Sequence, residues 1–126
     1  MLLAIDAGNT NIVFAIRDDS GWRGSWRIRT DPQRTSDEYA ILLQQFLDQD
    51  DVDFDMLGGV AISSVVPRVT AALREMGDRY LPHPPMVIEP GVKTGMAILY
   101  DNPKEVGADR IANAVAAFER FGGPAI

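Results

Sequence analysis

The chain has no cysteine among its 126 residues. That excludes a disulfide framework, a thiolate metal site and a cysteine nucleophile. Its single histidine, His83, sits among Pro82, Pro84 and Pro85, which reads as a surface loop rather than a catalyst. No apolar run approaches the roughly 20 residues of a membrane span, and no basic segment precedes an apolar one at the amino terminus. No membrane association is expected, and cytoplasm is the expected location. Positive charge is scarce: 12 Lys and Arg against 18 Asp and Glu leave a net charge of −6. That argues against a dedicated nucleic-acid binder. Internal repeats, low-complexity segments and charged tails are also missing. What remains is 46% hydrophobic and long enough for one domain with a real core.

The most informative stretch opens the chain. Leu2 to Ile5 reads as a buried strand ending in Asp6. Ala7, Gly8, Asn9, Thr10 and Asn11 follow, and a second apolar run, Ile12 to Ile16, begins at once. Only a tight turn separates the two strands, and it is rich in Gly and Asn, residues that tolerate positive φ. A carboxylate at a strand end beside turn amides and a hydroxyl suits a Mg-nucleotide. The amides and Thr10 can grip phosphate oxygens, and Asp6 can face Mg²⁺ through water. The alternative is a plain hairpin in which Asp6 and Asn9 make only turn hydrogen bonds.

Periodicity places the other elements. Strands are predicted near 2–7, 12–17 and 22–29, with Asp18 to Gly21 as the second turn. In the third strand, alternation puts Trp22, Trp26 and Ile28 on one face and Arg23, Arg27 and Arg29 on the other, a charge-blunted face near a sheet edge. A helix starts near Thr35, where Thr35 and Glu38 have capping-box spacing, with the stripe Tyr39, Leu42, Leu43, Phe46, Leu47. The acidic stretch Asp48 to Asp55 ends it; its likeness to a calcium loop fails at Met56 and Ile62. Gly58 to Val66 reads as a fourth strand. Pro67 opens a second helix with the stripe Val69, Ala72, Leu73, Met76, Tyr80. Met86 to Glu89 reads as a fifth strand. A loop over 90–103 leads to a third helix with the stripe Ile111, Ala114, Val115, Phe118, stopped by Gly122, Gly123 and Pro124, with another strand opening at 124–126. Ser63 and Ser64, at the end of the fourth strand, either face the cleft or form a strand-end polar pair.

A second constellation lies at Gly107-Ala108-Asp109-Arg110. Neither Asp109 nor Arg110 has an opposite charge three or four positions away, so each meets a tertiary partner or a ligand. Two solvated charges or a tertiary ion pair are the alternative. Gly107 permits close approach of another backbone or a substrate.

With these motifs in order, Asp6-Ala-Gly-Asn-Thr-Asn11, Gly91-Val-Lys-Thr-Gly95, Tyr100-Asp-Asn-Pro103 and Gly107-Ala-Asp-Arg110, the chain resembles the N-terminal half of a type III pantothenate kinase, over essentially all its residues. The resemblance implies an α/β fold: a ribonuclease H-like, actin-type ATPase half-domain, its mixed sheet having strands 1–3 antiparallel, later strands parallel to the first, and helices packed on its faces. It implies that Asp6, Ala7, Gly8, Asn9, Thr10 and Asn11, with Ile12 and Val13 behind them, hold ATP. Asp109 would accept the proton of the primary hydroxyl of pantothenate. Tyr100, Gly107, Ala108 and Arg110 would bind that substrate, Arg110 through its carboxylate. A monovalent cation, potassium or ammonium, and a homodimer come with the family.

The implied activity is ATP-dependent phosphorylation of pantothenate to 4′-phosphopantothenate, the first step of coenzyme A synthesis. The family's second phosphate turn and second half-domain have no counterpart in these residues. The 126 residues alone are therefore expected to be inactive, as a fragment or a natural truncation. The rival reading is a non-catalytic interaction module, such as a transcription accessory factor, favoured only by the arginine face of the third strand.

Overall fold

A computed structural model describes residues 1–88 of the chain. Three strands come first: β1 (Leu2–Ala7), β2 (Asn11–Asp18) and β3 (Gly21–Arg29). Helix α1 (Ser36–Asp48), a 3₁₀ turn at Phe54–Met56, β4 (Gly59–Ser64), α2 (Pro67–Tyr80) and β5 (Met86–Ile88) follow. The expected loop, helix and strand over 90–126 lie outside the described residues.

The strands form one sheet in the order β3-β2-β1-β4-β5. The β1–β2 and β2–β3 pairs are antiparallel, and β4 and β5 run parallel to β1. This is the mixed α/β sheet the sequence predicts. Alternation decides its faces. Leu3, Ile5 and Ala7 of β1, Ile12, Phe14 and Ile16 of β2, and Val60 and Ile62 of β4 are buried in one cluster with Tyr39, Leu43, Leu47, Val69, Leu73 and Met76 from the two helices. Full burial of each large member is worth about 1.5–3 kcal/mol, so this face is the main source of stability. Both described helices therefore lie on the same side of the sheet.

Local signals set the boundaries. Thr35 and Glu38 form the capping box, the Thr35 hydroxyl accepting from the Glu38 amide at 3.3 Å, an arrangement worth about 1 kcal/mol. After α1, Asp51 takes a φ of 55°. The Val52 amide then returns to the Leu47 carbonyl at 3.0 Å, and Val52 is buried. Pro67 stands in the first turn of α2, where its missing N–H leaves no helical bond unmade. The fourth strand stops at Ser64, two residues short of the expected Val66. There the Ser64 hydroxyl hydrogen-bonds both the amide and the carbonyl of Val66 at 3.2 Å, turning the chain toward α2.

The third strand departs from expectation. Its register against β2 shifts between Ile16 and Arg17: Ile16 opposes Gly24, whereas Arg17 opposes Trp22. Such a bulge flips the side chains that precede it to the other face. Trp22 therefore leaves the face of Trp26 and Ile28. It is exposed, with the Arg17 guanidinium 5.7 Å from its ring centroid. Trp26 stacks on Phe46 at 5.6 Å, as a residue packed against the core should. Arg23 does not simply continue the row of Arg27 and Arg29. It pairs with Asp18 at 3.6 Å and reaches the Asp50 carbonyl at 3.4 Å.

Candidate functional site

Because Leu3, Ile5 and Ala7 point into the core, strand alternation sends Asp6 to the opposite face, where it is exposed. In the sheet register Asp6 lies between Val13 of β2 and Ser63 of β4. The chain leaves β1 toward β2 on one side and returns as β4 on the other. The carboxyl end of β1 is thus the place where connections diverge, and open α/β sheets bind ligands at such places.

The turn after Asp6 is built to turn its carbonyls away. The Gly8 amide donates to the Asn11 carbonyl at 2.9 Å, leaving Asn9 and Thr10 at the tip. The Ala7 carbonyl accepts from the Val65 amide at 3.1 Å. The Gly8 carbonyl accepts from the Thr30 hydroxyl at 2.8 Å, and the Thr10 carbonyl from the Thr30 amide at 2.9 Å. The carbonyls of residues 7, 8, 10 and 11 are thus all occupied by protein donors. Among the described residues neither the Asn9 nor the Thr10 amide donates a hydrogen bond. A turn with four carbonyls engaged by protein donors and two amides not so engaged among the described residues can receive an anion.

Two details differ from the sequence reading. Positive φ among the described residues occurs at Asp51 and Gly21, not in this turn. Gly8 therefore does not serve a left-handed conformation. A Cβ there would lie 3.4 Å from the Asn11 carbonyl oxygen, an ordinary contact. Neither backbone angle nor space demands glycine at position 8; close approach of a ligand to the backbone would. Second, Ala7 and Ile12 are core residues, 1% and 0% exposed. Any contact they make with a ligand is through the backbone. Asn9 and Thr10 are exposed, Asn11 begins β2, and Val13 is half-buried beside Asp6. Tyr100, Gly107, Ala108, Asp109 and Arg110 lie outside the described residues.

Ser63 and Ser64 separate cleanly. Ser64 makes the turn bonds described above, whereas Ser63 shares the face of Asp6, is 5% exposed, and its hydroxyl has no hydrogen-bond partner among the described residues. Thr30 carried no motif in the sequence. Its only signal is a polar β-branched residue just after β3, and nothing local tells that the strand brings it to the first turn.

No cluster of three or more His, Asp or Glu suited to a metal occurs among the described residues. A groove of about 700 Å³ between residues 32–37 and α2, lined by Arg34, Arg68, Glu75 and Arg79, contains none of Asp6–Asn11. Its Arg79 is already paired with Asp37 at 3.0 Å, and Tyr80 donates to the same carboxylate. That hydrogen bond pushes the Tyr80 phenol up from its usual pKa. Hydrogen bonds from Ser20 pull the Asp18 carboxyl down at the β2–β3 turn, the opposite end of β2 from the first turn.

Comparison with known proteins is specific. A family model described as type III pantothenate kinase matches residues 2–126. The chain is 52% identical over 126 residues to a protein named type III pantothenate kinase from Moorella thermoacetica, covering all of this chain and 50% of that relative. A Halalkalibacterium halodurans protein of the same name is 49% identical over the same span, again 50% of its length. A third, from Myxococcus xanthus, is 52% identical over 120 residues, 95% of this chain and 47% of the relative. The chain spans about half the length of the curated relatives it matches.

Proposed function

The chain belongs to the type III pantothenate kinase family, and on that premise we propose that it is the N-terminal, actin-like ATPase half of an enzyme transferring the γ-phosphoryl group of ATP to pantothenate. The product is 4′-phosphopantothenate, at the first step of coenzyme A synthesis. The observation that carries this reading is the first turn: four carbonyls tied inward, the Asn9 and Thr10 amides at its tip, and Asp6 beside it.

In this reading residues 6–13 cradle the ATP phosphates, mainly through backbone amides and the Thr10 hydroxyl. The Asp109 carboxylate takes the proton of the pantothenate primary hydroxyl as that oxygen bonds to the γ-phosphorus and the bond to ADP breaks. Arg110 pairs with the pantothenate carboxylate, Gly107 and Ala108 line the approach, and Tyr100 packs against the substrate. In such transfers the protein positions groups and offsets charge, so fixing the turn rigidly matters more than any reactive side chain.

The donor set fits Mg²⁺. Asp6 offers an exposed carboxylate oxygen, and no multi-carboxylate cage stands among the described residues. Mg²⁺ with nucleotides commonly keeps several waters and takes one or two carboxylates plus phosphates. Asp6 would hold it through water, and when bound it supplies charge neutralisation on the phosphates. Potassium or ammonium belongs to the proposal through the resemblance alone, and no residue of 1–88 is assigned to it. The homodimer and the cytoplasmic location rest on the same ground. No described helix is long and apolar enough to cross a membrane. The rival reading, a transcription accessory module, retains only Arg27 and Arg29 of its arginine face, because Arg23 is engaged by Asp18 and Asp50.

The test is ADP release by the product of the complete reading frame with ATP, Mg²⁺, K⁺ and pantothenate, with the product identified by mass. Pantothenate-dependent turnover is expected. No pantothenate-dependent ADP, together with DNA binding that falls steeply with salt, would favour the rival.

A further inference from the structure

Among the described residues the buried hydroxyl of Ser63 has no hydrogen-bond partner, and Ser63 stands beside Asp6 in the sheet register. We propose that Ser63 is a second anchor of the Mg-nucleotide site, hydrogen-bonding a water that it shares with the Asp6 carboxylate. The inference rests on the kinase reading and adds a residue to its site.

Three observations carry it. Asp6 and Ser63 are register partners on adjacent parallel strands, at the carboxyl ends of β1 and β4 and on the same face of the sheet. Ser63 is 5% exposed and its Oγ makes no hydrogen bond. The same face carries alanine where nothing polar is needed: Ala4 opposes Ala61 one step earlier in the register. Leaving a hydroxyl buried and unpaired is unfavourable, and alanine would remove that penalty. Ser64 shows what a structural serine does in this strand end, since its hydroxyl is engaged by Val66. Of the other buried polar side-chain atoms without a partner among the described residues, those of Arg34, Tyr39 and Asp50, none is a register neighbour of Asp6.

The chemistry favours water over a direct bond to phosphate. The Ser63 hydroxyl is buried while its register partner Asp6 is exposed, and a water is small enough to bridge the two. An ordered water takes about three partners. Asp6, Ser63 and a hydrated divalent cation supply three. Ser63 thereby orients the hydration shell through which Asp6 meets the metal.

Nucleotide affinity is measured by calorimetry on the product of the complete reading frame, with ATP plus Mg²⁺ and with ATP in EDTA, alongside thermal melting without ligand. Ser63→Ala should weaken the Mg²⁺-dependent affinity by roughly three- to tenfold, the worth of one hydrogen bond. It should leave metal-free ATP binding unchanged and the melting temperature equal or higher. Ser63→Thr, which keeps a hydroxyl, should retain the Mg²⁺-dependent affinity. Affinity unaffected by Ser63→Ala, an equal loss with and without Mg²⁺, or a lowered melting temperature would each overturn the proposal while the wild type still bound Mg-ATP. A wild type that binds no nucleotide in either condition overturns the kinase reading itself, and this inference with it.

Discussion

The Thr30 hydroxyl donates to the Gly8 carbonyl at 2.8 Å, across 22 residues of sequence, while the Thr30 amide donates to Thr10 at 2.9 Å. One residue just after β3 thereby holds two carbonyls of the first turn, whose Asn9 and Thr10 amides donate no hydrogen bond among the described residues.

Thr30→Val keeps the shape and removes the hydroxyl. Stability should fall by about 0.5–1.5 kcal/mol, the net worth of one hydrogen bond. ATP affinity should fall as well, because the Gly8 carbonyl is released toward the phosphates. Thr30→Ser should restore both. Urea unfolding and calorimetry check this, and an unchanged ATP affinity in Thr30→Val would refute the clamp.

Gly8→Ala separates folding from binding. The backbone there is not left-handed and a Cβ meets only an ordinary contact. Stability should hold or rise by up to about 1 kcal/mol through reduced freedom of the unfolded chain. ATP affinity should drop nevertheless, if glycine is there to let phosphate approach the backbone. A variant that binds ATP normally would show that position 8 has no ligand role.

Asp109→Asn should lower kcat by about 10²–10⁴ with little change in pantothenate affinity, since the amide keeps the shape but cannot accept the proton. Arg110→Ala should instead raise the KM for pantothenate by removing its carboxylate partner. Steady-state kinetics on the complete reading frame distinguish the two. Near-normal turnover in Asp109→Asn would exclude Asp109 as the base.

Tyr39 makes a prediction about pH. Its side chain is fully buried, its hydroxyl has no hydrogen-bond partner among the described residues, and burial pushes its pKa up. In the unfolded chain it titrates near 10. Above that pH the unfolded state loses a proton that the folded state keeps, so stability declines with rising pH until the raised folded pKa is passed. Tyr39→Phe should make this alkaline decline shallower, leaving the part due to Tyr80, and cost little at neutral pH, because no hydrogen bond among the described residues is lost. Melting temperatures between pH 8 and 11 for the two proteins check it; parallel curves would contradict the assignment.

Much of the architecture follows from local signals that the chain carries in any context. Period-two alternation placed β1 and β2, and the same alternation put Asp6 opposite the core. The Thr35–Glu38 box started α1, and Pro67 started α2. These depend on residues within a few positions of each other. What the tertiary structure alone decided is pairing. A single-residue bulge opposite Ile16 and Arg17 moved Trp22 out of the face it shares with Trp26 in the pattern. Strand register brought Thr30 to Gly8 and Ser63 to Asp6, contacts between segments that no short window contains. Register is set by ladder hydrogen bonds and by which side chains the core accepts, and a slip of one residue reverses every face. Over residues 1–88 the sequence by itself thus determined which segments are strands and helices and where the carboxylate stands, and the packing of distant segments determined which polar groups surround it.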